Sequence, residues 1–461
     1  MPLNNSGPLS FGGSTVGQSI NLELGLSATA TASINSTAFR TLAGVPSGQI
    51  SVSNFYGKSS ERFYVSFLFQ DGSNEVSEDF SITAAPNGRA ALYMRQTRSG
   101  TNYGLTISLS DTPTISWQNW QSTPNANGTM QAVTADAAGN IYTTLTAFDS
   151  GLGTDRLGWI TRFNTSGTAT YLTRLTSFVG VALIYSPSND RLIWFGSDGL
   201  NSCGIAILNT SGGIISSFRY LDQNIAQIGR GAAVDASGNI YFVGTRSSGK
   251  KRLVKLNSAG AAQFAILGTS STDFQDELLH ADSSGNIYVA ATASTLIKFN
   301  SSGASVQQWR FTSGGSTVGA QAVATDSANN IYVAVSGFSA IIYLKFNSSG
   351  TLQFQRNITS SFGVGTLRGI VMSGNGAVFI TGRSSATTNY VFRLSTDGSG
   401  IGTYSVGGGS VTISAGSLVV LSGTQTFTTE TPSVPSFTIT PNAGTTPTYN
   451  AAGTTISATS I

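Results

Sequence analysis

Charge is what this sequence most lacks. Of 461 residues, 24 are Lys or Arg and 21 are Asp or Glu, so about one position in ten is charged where an ordinary soluble domain has about one in four. Histidine and cysteine occur once each, as His280 and Cys203. Zinc sites, Ser-His-Asp triads, Cys-His dyads and histidine acid/base pairs need those residue types with partners and usually several of them, so most enzyme chemistries are excluded. A single Cys also forbids an intramolecular disulfide, leaving packing and strand pairing as the source of stability. No apolar run approaches the 18 or so residues of a membrane helix. The densest cationic string is Lys250-Lys251-Arg252, which reads as a solvated hairpin and leaves no nucleic-acid footprint.

What is present is glycine (54 residues), much Ser, Thr and Asn, and a hydrophobic fraction of 40% with 10% aromatics. Disorder requires low hydrophobicity with high net charge; a net charge of +3 with regularly spaced aromatics predicts a packed core instead. The length suggests two or three domains. Met1-Pro2-Leu3-Asn4-Asn5-Ser6 has neither the basic start nor the apolar centre of a secretory signal, so synthesis in a cytoplasm is expected. A charge-poor surface of Ser, Thr, Gly and Asn suits work outside cells, and release by lysis fits both expectations.

Self-similarity organises the chain. Asp136-Ala-Ala-Gly-Asn-Ile-Tyr142 recurs as Asp235-Ala-Ser-Gly-Asn-Ile-Tyr241, Asp282-Ser-Ser-Gly-Asn-Ile-Tyr288 and Asp326-Ser-Ala-Asn-Asn-Ile-Tyr332. Degenerate copies lie at 87–93, 189–194 and 375–379. Anchored on residues 92, 141, 192, 240, 287, 331 and 378, the spacings are 49, 51, 48, 47, 44 and 47, which makes seven units. A second motif keeps step: Phe163-Asn-Thr-Ser-Gly167, Leu208-Asn-Thr-Ser-Gly212, Leu256-Asn-Ser-Ala-Gly260, Phe299-Asn-Ser-Ser-Gly303, Phe346-Asn-Ser-Ser-Gly350 and Leu394-Ser-Thr-Asp-Gly398. After each comes a short strand with an aromatic: Tyr171, Phe218, Phe264, Trp309, Phe354 and Tyr404, with Trp117 in the first unit.

Each unit therefore reads as four short strands separated by turn-forming Asp, Asn and Gly clusters. Four antiparallel strands at a period of 40 to 50 residues predict an all-β, seven-bladed β-propeller. The units resemble the blades of NHL-like propellers, which carry a similar Asp-x-x-Gly-Asn-hydrophobic-Tyr core; the resemblance implies the fold and is silent on function. The expected division is 1–60, a small α+β module; 61–406, the propeller; and 407–461, a Ser/Thr/Gly-rich β appendage that either packs on its own or lies along a neighbouring subunit. The first three strands occur in seven sets but the fourth has eight candidates, because Phe63–Phe69 also reads as one. An unclosed ring would leave an aggregation-prone edge, so Phe63–Phe69 is expected to close the last blade and Ile401–Val406 to lead into the C-terminal segment; the alternatives are the reverse assignment and an eighth blade added by the hairpin-like C-terminus.

Residues 1–60 do not follow the repeat. Strands are expected at Ser19–Leu24 and Gln49–Lys58, and a short helix at 35–44, with a capping residue at its start, Gly44 at its end and Pro46 beyond. The run from Gly7-Pro-Leu-Ser-Phe-Gly-Gly13 through Phe39-Arg-Thr-Leu-Ala-Gly-Val-Pro-Ser-Gly48 to Phe55-Tyr-Gly-Lys58 resembles an N-terminal module of virion structural proteins of tailed bacteriophages, notably marine and cyanobacterial ones. That resemblance implies attachment to other virion proteins of a tail, baseplate or tail fibre through residues 1–60, and a virion location in multiple copies.

The candidate residues follow. Phe39 and Leu42 share one face of the expected helix at i, i+3, and either fill the module's own core or dock on the virion; Arg40, Phe55 and Tyr56 are further attachment candidates. Trp117 and Trp309 fall at the repeated aromatic position and are expected between blades. Trp120 and Tyr220 lie beyond that position and are the candidates for ligand contact. Each repeated Asp stands alone in its turn, so turn formation is preferred to calcium binding, and no catalytic, metal or cofactor residue is assigned. The expected function is non-catalytic: a bacteriophage virion protein displaying a propeller for receptor recognition on a host surface glycan or protein. Two alternatives are a purely architectural decorating protein and a glycan-degrading propeller enzyme, the last needing two carboxylates within about 10 Å.

Overall fold

The computed structural model describes residues 3, 8–13, 18–23, 27, 29–31, 33–36, 39–40, 43, 48–55, 64–69, 75–98, 101–110, 115–122, 129–148, 156–176, 179–197, 203–220, 225–246, 251–268, 278–291, 295–337, 339–374, 376–385, 388–398, 401–406, 409–422, 427–430, 448–450 and 457–460. The chain divides into two compact units, Met1–Phe63 and Tyr64–Ile461.

In the first unit Leu3, Ile20, Phe39, Ala43 and Phe55 form a small buried core, with Leu9, Ile34 and Ile50 packed against it. The Phe11, Phe39 and Phe55 rings meet pairwise at 6.0 to 6.3 Å. Two expectations for this unit are corrected. Ile20–Glu23 is a helical turn, not a strand: Ile20 enters the phenylalanine core and Asn21 turns inward to donate to Ala30 O at 2.8 Å. Val52–Phe55 is a 3-10 turn, not a strand, fixed where Ser51 N donates to Asn54 Oδ1 at 2.7 Å. Alternation over so few residues fits one helical turn as well as a strand. The expected helix is seen at Phe39, Arg40 and Ala43, opened by Ser36, whose carbonyl accepts from Arg40 N at 3.0 Å.

In the second unit the described strands form seven antiparallel sheets, so the all-β, seven-bladed expectation holds. Blade 1 is Glu75–Ala84, Ala90–Arg98, Thr101–Leu109 and Ile115–Ser122, and blade 2 is Thr129–Ala135, Ile141–Phe148, Arg156–Phe163 and Ala169–Thr176. Blade 3 is Val179–Ser186, Arg191–Ser197, Cys203–Asn209 and Ile214–Tyr220; blade 4 is Ile225–Val234, Ile240–Arg246, Lys251–Leu256 and Ala262–Gly268. Blade 5 is Leu279–Ala281, Ile287–Ala291, Thr295–Phe299 and Ser305–Ser313; blade 6 is Ala320–Thr325, Ile331–Ser336, Ile341–Phe346 and Leu352–Ser360. Blade 7 takes Thr366–Met372, Val378–Ser385 and Thr388–Leu394 from its own stretch and Tyr64–Phe69 as its fourth strand, as the strand count implied.

The first strands are innermost and the fourth outermost. Middle strands are covered on both faces by the neighbouring blades and therefore read as continuous apolar runs: Ile331 to Val335 are all buried. The fourth strand of the same blade, Leu352–Ser360, is mostly half-buried or exposed and polar, as an outer strand should be. One register differs from the repeat as read. Ala84 pairs with Ala90 as Ala135 pairs with Ile141, so the first unit's counterpart of Ile141 is Ala90 rather than Leu92.

The described strands of the C-terminal stretch add to the outer edges of the blades. Gly409–Ala415 adds to the fourth strand of blade 6 and carries Gly402–Val406 as a hairpin partner; Tyr404 therefore belongs to this hairpin. Val419–Ser422 adds to blade 5, Phe427–Glu430 to blade 4, Thr448–Asn450 to blade 1 and Ser457–Ser460 to blade 7.

Candidate functional site

Antiparallel order sends the connections of each blade to two ends of the ring. At one end lie the turns between strands one and two and between strands three and four, four or five residues each, as at 136–140, 187–190 and 257–261. The repeat motif explains that constancy. Asp282 Oδ1 accepts the backbone amides of Ser284 and Asn286, both at 2.9 Å, and Oδ2 accepts Asn286 Nδ2 at 2.8 Å and the Tyr288 hydroxyl at 3.0 Å. Asp235 and Asp326 hold their Asn and Tyr partners in the same way, and Asp136 bonds Asn140 and Tyr142 likewise. Both oxygens of each carboxylate are thus engaged by the turn it closes. Burial, and then the adjacent aspartate, push the phenols of Tyr142, Tyr241 and Tyr288 well above the ordinary tyrosine range. These groups hold turns; none is poised to exchange a proton near neutral pH.

The same end fastens each blade to the next. Lys255, Lys298 and Lys345 cross the rings of Tyr241, Tyr288 and Tyr332 at 5.2 to 5.6 Å and donate to Ser301 O, Ser348 O and Thr396 O in the following blade. Trp117 lies against Gly167, Phe218 against Gly260, Phe264 against Gly303 and Phe354 against Gly398, each glycine belonging to the next blade's turn. Trp117 Nε1 and Trp309 Nε1 donate to Thr165 O and Gly350 O. Trp117, Phe218, Phe264, Trp309 and Phe354 are interblade packing, as their spacing implied, whereas Leu172 rather than Tyr171 covers the corresponding Gly212 and Tyr404 lies in the hairpin outside blade 6.

The opposite end is built differently. Connections between strands two and three range from two residues (99–100 and 386–387) to seven (149–155), and those leading to the next blade from two (177–178) to ten (269–278). Inside the ring the first strands enclose a cavity of about 380 Å3, lined by all seven blades; in blades 1, 2, 4 and 5 its lining (81–83, 132–134, 232–234 and 278–281) comes from the end of the strand toward the four- and five-residue turns. Its walls combine apolar side chains, among them Ile82, Val133, Leu183, Ala233, Val323 and Ile370, with the polar Ser81, Thr83, Thr134, His280, Gln321 and Arg368. Gln321 and Arg368 occupy equivalent bulges, each the extra residue where the first strand slips against the second; Gln131 and Val181 are the extra residues of blades 2 and 3. A bulge re-aims its side chain; of these residues Val181, Gln321 and Arg368 line the cavity, and because first strands start at the variable end they lie toward that end of the channel. His280 Nε2 lies 2.8 Å from Thr325 Oγ1, linking blades 5 and 6. Burial lowers its pKa to about 4 against a weaker opposing pull from Asp282, so it is a neutral fastening between blades at physiological pH.

The candidates named from the sequence fare as follows. Trp120 is 4% exposed inside the core cluster of blades 1 and 7, because its position on the fourth strand faces the neighbouring blade; it is corrected from ligand contact to core. Tyr220 ends the outer strand of blade 3 opposite Cys203, and its side chain is outside the described residues. Phe39 and Phe55, 1% and 0% exposed, are the core of the N-terminal unit, so neither offers an attachment surface. Arg40 bonds Gly48 O and Asn35 Oδ1 within that unit. Leu42 and Tyr56 lie outside the described residues. Phe11, 40% exposed beside the two buried phenylalanines, went unnoticed because nothing in its Gly-rich setting marks it. Gln321 and Arg368 went unnoticed because a bulge leaves no trace in an alternating pattern.

No family model matches the chain, and no curated protein matches it. Among solved structures it is similar to the Dos1 propeller, with 10% identity, a TM-score of 0.45, and coverage of 71% of this chain and 94% of that one. It is also similar to YCF48 bound to D1 peptide, with 11% identity, a TM-score of 0.44, and coverage of 73% and 96%. A protein of unknown function from Dyadobacter fermentans DSM 18053 matches with 12% identity, a TM-score of 0.39, and coverage of 62% and 95%. Similarity this distant carries no functional argument; the propeller assignment rests on the strand pairing of the chain itself.

Proposed function

We propose that the protein is a non-catalytic recognition component of a bacteriophage virion, attached through residues 1–60 and displaying the variable end of its propeller to a host surface. The observation that carries the recognition part is the asymmetry of the two ends. One end has turns of four or five residues whose carboxylates, amides and lysines are consumed in holding the blades. The other has connections of two to ten residues around a channel whose bulged Gln321 and Arg368 line the cavity. Loops on a rigid scaffold are where binding specificity is varied at least cost to the fold. The virion part is supported by the likeness of the first 60 residues to phage attachment modules. The engagement of each repeated aspartate in its own turn speaks against a glycan-cleaving carboxylate pair among them.

The test uses the full chain, fluorescently labelled, with cells of the bacterium infected by the phage that encodes it. Saturable binding that blocks phage adsorption is the expected result, with antibodies to the chain decorating purified particles at one place. Particle decoration without cell binding would replace recognition by an architectural role. Absence from the particle would remove the virion reading altogether.

A further inference from the structure

We propose that the C-terminal tail is the lock of the ring: its last strand holds the closing strand in place, and the ring opens only after that strand has left. Closure rests on Tyr64–Phe69, which joins blade 7 through strand pairing and not through the chain. Its inner edge is paired with Thr388–Leu394 at six positions, from Tyr64↔Arg393 to Phe69↔Thr388. Its outer edge is paired with Ser457–Ser460, from Ser66↔Ser460 to Phe69↔Ser457. Without the tail, the strand that closes the ring would be an edge strand, with one row of backbone groups unpaired and free to fray.

The route of the tail keeps the lock in place. The chain builds blades 1 to 7 in order and then returns past 6, 5 and 4 before pairing on 1 and 7. Its beginning is firmly seated: Val411, Ile413 and Leu418 are buried, Leu418 N donates to Gln355 Oε1 at 2.9 Å and Gly416 N to Gln355 O at 3.1 Å. Ser361 and Ser410 exchange bonds of 2.9 and 2.8 Å. A tether anchored on blades 6, 5 and 4 converts pairing of the last strand into an intramolecular event with a high effective concentration, so four paired residues suffice where a free peptide of that length would not bind. Tyr64–Phe69 and the last tail strand thereby hold each other at the place where blade 7 lacks covalent continuity.

Hydrogen exchange read by mass spectrometry tests the lock on the full chain, on a chain ending at Pro447, and on the full-length Ala458→Pro variant, which removes one backbone donor within the last strand. Exchange in 64–69 is expected to accelerate at least about tenfold in both variants. Blades 2 and 3, whose fourth strands carry no tail strand among the described residues, should be unchanged. Unaltered protection of 64–69 in either variant would overturn the proposal. Equal acceleration in every blade would overturn it as well, because it would mean general destabilisation rather than release of one closure. The Ala458→Pro chain keeps the reading decisive if the truncated one does not fold.

Discussion

Gly260→Ala is expected to be among the costlier single-methyl additions to this protein. Gly260 closes the third turn of blade 4, with its amide donating to Asn257 O at 2.9 Å and its φ at +86°. A Cβ in that conformation costs about 1–2 kcal/mol on backbone grounds. It would also enter the ring of Phe218, the outer-strand aromatic of blade 3, and overpacking of this kind adds about 1–3 kcal/mol. Together these give about 2–5 kcal/mol. Gly376 is the internal control: its φ is +80°, and among the described residues nothing lies within 4 Å of where a Cβ would sit, so Gly376→Ala should cost only the backbone part, about 1–2 kcal/mol. Denaturant unfolding followed by tryptophan fluorescence measures both. In a Phe218→Ala background the cost of Gly260→Ala should drop to that of Gly376→Ala, a coupling characteristic of residues in contact. Equal costs for the two glycines, or no coupling to Phe218, would refute the claim that interblade packing is seated on these turns.

Asp282→Ala should destabilise by about 2–4 kcal/mol in the same assay, since four donors lose one acceptor group, and Tyr288→Phe by about 1–2 kcal/mol, since the carboxylate keeps its other partners. Lys345→Met, which removes the bond to Thr396 O and the approach to the Tyr332 ring, should cost about 1–2 kcal/mol. His280 has a folded pKa of about 4 against an ordinary 6.5. Its contribution is intact above pH 6.5 and is lost as pH falls toward 4, because the unfolded chain takes up a proton that the folded one refuses. The loss amounts to up to about 3 kcal/mol across that window. Comparing stability against pH for the wild type and His280→Gln checks this: the variant should lose that part of the slope.

Much of the fold was legible because the repeat states its own chemistry. Asp-x-x-Gly-Asn-Ile-Tyr places an acceptor, a turn glycine, an amide and a phenol at spacings that close one hydrogen-bonded unit, and the unit appears in the structure at Asp136, Asp235, Asp282 and Asp326. The alternation of outer strands against the continuous apolar runs of middle strands followed from which faces a blade buries. The N-terminal unit was less legible: over the few residues of Ser19–Leu24 and Gln49–Lys58 a strand pattern and a single helical turn look alike, and only the small phenylalanine core decides between them. Trp120 looked like a surface residue because its distance from the repeated aromatic carries no information on the neighbouring blade.

By itself the sequence determined the local units, their number and most of the aromatics that pack between them, since each depends on contacts within about 50 residues that recur with the period. Tertiary structure decided everything that requires two distant segments to meet. The strand count implied that Phe63–Phe69 closes the last blade, but its register on Thr388–Leu394 and the addition of tail strands to the outer edges of blades 6, 5, 4, 1 and 7 depend on which edges are left open once the ring has formed, and the bulges at Gln321 and Arg368 depend on how each first strand pairs with the second. An open edge is a property of the assembled sheet, and no periodicity in one strand records it.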